Sequence, residues 1–132
     1  MLETQVDIHL TCESELARIS ELSQRTNQCT NGIRYTVDKL QQLMYTENYR
    51  LYSVLVSDRF SDLGLVGAIG ICGSELDLFS LSCRSLGRNV EDKMFDVVRQ
   101  HYVSSYRFNS TNNNDKLLSR LKNMFTERKV HY

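Results

Sequence analysis

The sequence contains no proline and no tryptophan, absences that exclude no function. It also carries no net charge, since sixteen Lys and Arg balance sixteen Asp and Glu. Phosphate backbones demand a clustered positive excess, so nucleic acid is not an expected partner. The locally basic stretch from Arg120 to Lys129 is short enough to be a solvated helix face. No Cys-x-x-Cys pair occurs among Cys12, Cys29, Cys72 and Cys83, and His9, His101 and His131 stand at no ligand spacing from them, so no metal site is expected. No signal-peptide or transmembrane run is present, which sets the expectation of a cytoplasmic chain with free thiols and no membrane partner. Cys72 lies in an apolar run, where a free cysteine behaves as a small hydrophobe.

No low-complexity linker, internal repeat or charge block divides the chain, so residues 1–132 are expected to form a single domain. Hydrophobic residues make up 41% and charged residues 24%, which fits a packed core and argues against disorder. At 132 residues that core needs no disulfide or metal staple.

Alternation of Val6, Ile8 and Leu10 predicts a half-buried strand over Leu2–Leu10. Leu16, Ile19 and Leu22 predict a helix over Glu13–Gln24, with Ser14 as a cap. Thr26, Asn27 and Gln28 form a polar exit, and Asn31-Gly32 is a turn signal. Thr36 is placed to cap a second helix whose apolar positions are Val37, Leu40, Leu43 and Met44. Three strands follow, over Tyr49–Ser57, Leu65–Cys72 and Glu75–Ser82, and their connections are short enough to demand an antiparallel meander. Gly73-Ser74 is the hairpin turn between the last two.

After Cys83 the character changes. A turn around Gly87 leads to a helix over Val90–Val103, with Asn89 placed to cap it and Val90, Met94, Val97 and His101 on one face. A strand over Tyr106–Asn109 must return parallel to the strand before the helix, because a helical crossover separates them. The polar run Asn109–Asn114 is a loop, and a last helix over Asp115–Phe125 turns Leu117, Leu118, Leu121 and Met124 inward. The expected fold class is α/β (α+β): a mixed sheet with an antiparallel meander, then a strand–helix–strand crossover, with helices on both faces.

This order resembles the GNAT acyltransferase superfamily. That superfamily binds the CoA pyrophosphate at an Arg/Gln-x-x-Gly-x-Gly/Ala turn opening a helix, and Arg84-Ser85-Leu86-Gly87-Arg88-Asn89 matches the Arg and the first Gly. The chain is similar, more specifically, to the C-terminal domain of FkbH-like proteins, in subfamily IIIC of the haloacid dehalogenase superfamily. Three stretches carry this likeness: Ala17–Gln28, Arg34-Tyr35-Thr36, and Leu81–Arg88 with Val90-Glu91 after it. The sequence departs from the family in two places. Cys29-Thr30 stands where Phe-Asn is usual, and Asn89 stands where glycine is usual. An Asn side chain there would crowd a closely held pyrophosphate.

The resemblance implies acyl-CoA or phosphopantetheine as the bound group. Ser82, Arg84, Gly87, Arg88 and Asn89 would meet it, with the pantetheine between splayed strands around Ser80–Cys83. Arg84 and Arg88 could equally be surface arginines beside an ordinary cap, and Glu91 and Asp92 already occupy the positive helix end. Thr26, Asn27, Gln28 and Arg34 are the candidate substrate-binding residues, their alternative being loop bonds and a surface ion pair. Asp77, with Glu75, lies on the strand where GNAT enzymes often place a general base, although most strand carboxylates face solvent. The last helix has no tyrosine of the kind that protonates the leaving thiolate in many GNAT enzymes; Arg120 or Leu121 falls near that position. The implied partners are a phosphatase-like domain of the same polypeptide, whose Asp-x-Asp motif is absent here, and an acyl carrier protein. Pathways of polyketide type or of surface polysaccharides are the implied setting. Three functions stay open: a thioester-binding module, a non-catalytic docking domain, and an active N- or O-acyltransferase on a sugar or amine.

Overall fold

A computed structural model describes residues 4–58, 62–82 and 89–130. The strands are β1 (Thr4–Leu10), β2 (Cys29–Thr30), β3 (Tyr49–Asp58), β4 (Asp62–Cys72), β5 (Glu75–Leu81) and β6 (Ser105–Tyr106). The helices are α1 (Leu16–Arg25), preceded by a single 3-10 turn over Glu13–Glu15, then α2 (Val37–Met44), α3 (Val90–Gln100) and α4 (Asp115–Val130). One sheet runs in the order β1-β3-β4-β5, and the far edge of β5 is shared by β2 and β6. β3, β4 and β5 form the expected antiparallel meander, and β6 pairs parallel with β5.

The sheet separates two cores. On one face Leu16, Ile19 and Leu22 of α1 and Leu40 of α2 pack against Leu51, Leu65, Ala68 and Leu78. On the other, Val90, Met94, Phe95 and Val98 of α3 and Leu117, Leu121 and Met124 of α4 pack against Val54, Val56, Ile69, Phe79 and Leu81. The apolar spacings of α1, α3 and α4 serve burial, whereas on α2 Leu40 is buried, Leu43 and Met44 are partly so, and Val37 is exposed.

Several expectations need correction. Ser14 caps nothing that α1 uses: the turn begins at Cys12, whose N–H donates to the Glu15 carboxylate at 2.9 Å. Thr36 does cap α2, accepting from the Lys39 N–H at 3.2 Å. Asn89 holds the N-cap position of α3 in the left-handed region (φ 63°) with no side-chain cap bond, so backbone angle rather than capping selects it. α3 ends at Gln100, and His101 shares a hydrogen bond of 2.7 Å with the Tyr52 hydroxyl instead of continuing the apolar face. Cys72 sits exposed at the end of β4. Leu10, at the end of β1, is exposed too.

β2 has no counterpart in the periodicity, since it is two residues long and pairs with a strand fifty positions away: Cys29 opposite Leu81 and Thr30 opposite Ser80. A bulge between Gly70 and Ile71 leaves Asp77 as the extra residue of β5. Bulges re-aim side chains. Leu76 consequently faces the α3/α4 core while Leu78 faces the α1/α2 core. Among the described residues no helix is long and apolar enough to cross a membrane.

Candidate functional site

Backbone pairing between β5 and β6 is brief. It ends where the Arg107 N–H donates to the Leu76 carbonyl at 2.9 Å. Beyond that bond, the polar groups of both strands turn to Asn31, which is fully buried. Its side-chain amide donates to the Asp77 carbonyl (2.8 Å) and the Arg107 carbonyl (3.0 Å), and its Oδ1 accepts from the Phe79 N–H at 3.0 Å. Its own N–H donates to the Phe79 carbonyl at 2.9 Å, and its carbonyl accepts from the Asn109 N–H at 2.8 Å. One side chain therefore does the work of a missing ladder, as a buried amide must if it is to be satisfied.

The flanking residues seal this arrangement. Thr30 and Ser80 share a buried hydroxyl–hydroxyl bond of 3.2 Å, and the Thr30 carbonyl accepts from Asn114 at 2.9 Å. Asn114, also fully buried, donates to the Asn109 carbonyl as well. Gly32 has φ +80°, and a Cβ on it would stand 2.0 Å from the Asn109 carbonyl oxygen. The edge of β5 at Ser80 and Leu81, where a pantetheine arm was expected, is thus paired with β2. Ser82 follows with its N–H on the Val66 carbonyl at 2.7 Å. Arg84, Gly87 and Arg88, with Cys83, lie outside the described residues.

Asp77 is neither solvent-facing nor free. Its side chain is 7% exposed; Oδ1 accepts from the Arg107 guanidinium at 2.7 Å. Oδ2 accepts from the Tyr35 hydroxyl at 2.6 Å and the Tyr49 hydroxyl at 2.7 Å. Gly70 makes room for this, since a Cβ there would come within 2.2 Å of the Tyr49 hydroxyl. Burial, followed by the Asp77 hydrogen bond, raises the Tyr35 hydroxyl well above the usual tyrosine range. Burial and then the Asp77 charge raise Tyr49 further. The hydrogen bond to Asp77 raises Arg107 as well. The group is an ion pair with two phenols clamped to it, and it ties β3, β5, the residue after β6 and the approach to α2 together. Glu75, near the β4–β5 turn, accepts only a long bond from Ser105 (3.4 Å).

Of the four substrate-binding candidates, three are brought together as the end of α1. Thr26 is buried with its hydroxyl on the Leu22 carbonyl at 2.7 Å. Arg34 donates to the Ser23 carbonyl (3.0 Å), to the Gln24 carbonyl and to the Asn27 Oδ1 (2.9 Å). A cation on the last carbonyls of a helix satisfies them and opposes the negative end of its dipole. Gln28 is separate. It lines a cleft of about 410 Å³ with Cys29, Glu91, Asn112, Asn113 and Lys116 among its walls. Of these, Glu91 is bonded by Arg120 of α4 (2.6 Å), which also bonds Asp92 (2.9 Å) and lies 4.3 Å over the Phe95 ring. The acidic first turn of α3 is thereby neutralised from α4, by the residue near the position expected for a tyrosine.

The sequence expectation missed Asn31, Asn114, Arg107, Tyr35 and Tyr49. Only Asn31-Gly32 carried a local signal, that of a turn. It also missed His9, Cys12 and Glu15, from each of which one ligand-type atom lies within 4.8 Å of the others. The expectation that the histidines stand at no ligand spacing from the cysteines is therefore corrected for His9 and Cys12.

The fold matches that of GNAT acetyltransferases of known structure. A transcriptional regulator from Bacillus halodurans C-125 superposes with a TM-score of 0.62 at 10% identity, over 91% of each chain. The ribosomal-protein-alanine N-acetyltransferase from Brucella melitensis biovar Abortus 2308 gives 0.54 at 13% identity, over 91% of this chain and 90% of its own. An aminoglycoside acetyltransferase from an uncultured soil metagenomic sample, in complex with sisomicin, gives 0.55 at 12%, over 89% and 86%. At such identities the likeness defines the fold and leaves the chemistry to the site. No family model matches the chain, and no curated protein matches it in sequence. The FkbH-like resemblance accordingly rests on the quoted stretches alone.

Proposed function

We propose that the chain is an acyltransferase-fold binding module that meets the phosphopantetheine arm of acyl-CoA or of a carrier protein without transferring its acyl group. The observation that carries this reading is Asn31 bonded across β5 and β6 with β2 beside it. An arm lying along β5 would have to displace bonds from Asn31 to four residues. Transfer further needs a base for the acceptor and an acid for the thiolate. Asp77, the candidate base, spends both oxygens on Arg107, Tyr35 and Tyr49. The place left for an arm is the cleft beside β2, whose Gln28, Asn112 and Asn113 amides suit the amides of pantetheine. Ser82, Arg84, Gly87, Arg88 and Asn89 would then meet its phosphate at the start of α3. The partners under this reading are an acyl carrier protein and a phosphatase-like domain of the same polypeptide.

The carboxylates Glu91 and Asp115 on the same cleft favour a second reading, a docking domain with no thioester ligand. Calorimetric titration with acetyl-CoA and with a phosphopantetheinylated carrier protein separates the two. Saturable heat with either, weakened in Arg84→Ala, is expected. No heat with both would overturn the thioester reading in favour of docking.

A further inference from the structure

We propose that His9, Cys12 and Glu15 form a three-ligand site for Zn²⁺ where the end of β1 meets the start of α1. The donors are an imidazole Nε2, a thiol Sγ and a carboxylate, a borderline-soft set that suits zinc. The Nε2 lies 3.1 Å from each Glu15 oxygen. The edge of a tetrahedron with zinc–nitrogen and zinc–oxygen bonds of about 2.0–2.1 Å is about 3.3 Å, so this pair is at bridging separation already. Cys12 is exposed and its Sγ lies within 4.8 Å of the other two donors, so a side-chain rotation would carry it to the same centre and leave a fourth position to solvent.

The supporting groups make this a built arrangement. Asp7 takes the other ring nitrogen, with Nδ1 2.9 Å from Oδ2, which fixes the ring with Nε2 toward the site. The Glu15 carboxylate is held by the Cys12 N–H at 2.9 Å and the Ser53 hydroxyl at 3.0 Å, both on Oε1, which leaves Oε2 for the ion. Ser53 is in turn fixed by Thr11 at 2.8 Å, in a buried hydroxyl pair. Zn²⁺ would take the place of the Nε2 proton that now faces Glu15, and the Cys12 thiol would lose its proton to solvent. The ion would staple a sheet edge to the first helix. This site is independent of any thioester ligand.

The test uses the full chain, treated with chelator and titrated with Co²⁺ and then Zn²⁺. One equivalent of Co²⁺ is expected to give a thiolate-to-metal charge-transfer band and intensified tetrahedral d–d bands, both erased by one equivalent of Zn²⁺. Cys12→Ser and His9→Gln should each abolish the band, Cys72→Ser should leave it, and Asp7→Asn should weaken affinity roughly 10–100-fold. No band at one equivalent, or a band that survives Cys12→Ser, would overturn the proposal. Wild-type affinity in Asp7→Asn would do the same for the role given to Asp7.

Discussion

Asn31→Ala removes three side-chain hydrogen bonds from a fully buried position. It leaves the carbonyls of Asp77 and Arg107 and the N–H of Phe79 facing a small void. An orphaned buried group costs about 1–3 kcal/mol, so three bound the loss between about 3 and 9 kcal/mol. Water entering the void recovers part of this, which places the expected loss at about 3–5 kcal/mol. Set against a total stability of about 5–15 kcal/mol, this is a large effect for one small side chain. Urea unfolding measures it. The midpoint should fall by about 2 M at a slope of about 2 kcal/mol/M, with the slope unchanged. Asn31→Asp, which keeps the shape and an acceptor for Phe79 but aims a carboxylate at two carbonyl oxygens, should be at least as damaging. Gln41→Ala, on the exposed face of α2, should change stability by less than about 0.5 kcal/mol. If Asn31→Ala cost less than about 1 kcal/mol, the slot between β5 and β6 would not be held by Asn31 and the reasoning would be refuted.

Gly32→Ala combines an unfavourable backbone angle with a collision at the Asn109 carbonyl, and should cost more than about 2 kcal/mol in the same assay. Asp77→Asn breaks an ion pair that the half-exposed Arg107 shares with water, so the expected loss is about 1–3 kcal/mol, read as a lowered Tm. Tyr35 and Tyr49 are held neutral by the fold. Their contribution is complete below the unfolded tyrosine pKa of about 10 and disappears as pH rises toward the raised folded values. Tyrosinate absorbance on alkaline titration should show these two ionising together with unfolding, and Tyr49→Phe should shrink that late step.

Much of the architecture was legible because burial follows periodicity. Leu16, Ile19 and Leu22 declared α1, and Val90 and Met94 declared α3. The helical crossover required β6 to return parallel, and it does. The site was far less legible. Alternation of Leu76 and Leu78 puts both on one face and Asp77 on the other; the bulge at Asp77 reverses that, and no local signal announces a bulge. Asn31-Gly32 read as a turn, and the positive φ of Gly32 agrees, but the side-chain partners of Asn31 lie 46 to 76 residues away. Arg34 read as a substrate-binding residue or one half of a surface ion pair, yet helix α1 offers it carbonyls closer at hand. His9, Cys12 and Glu15 recur every three residues across a strand end and a 3-10 turn; that spacing matches the turn and not the strand, and no periodicity announces so short a turn.

The proposed function holds that the chain itself closes the β5 edge where an acyl thioester arm was expected. Thiol release from acetyl-CoA, followed across a panel of amines and amino sugars, tests it most directly. The loss of one acid–base group alone lowers rates roughly a hundredfold to ten-thousandfold, and here the slot is filled as well. Release indistinguishable from buffer is predicted for the wild-type chain with every acceptor, even where calorimetry detects binding. Robust, saturable release with any of them would contradict the account, because turnover requires the arm to reach the β5 edge that Thr30 and Asn31 cover.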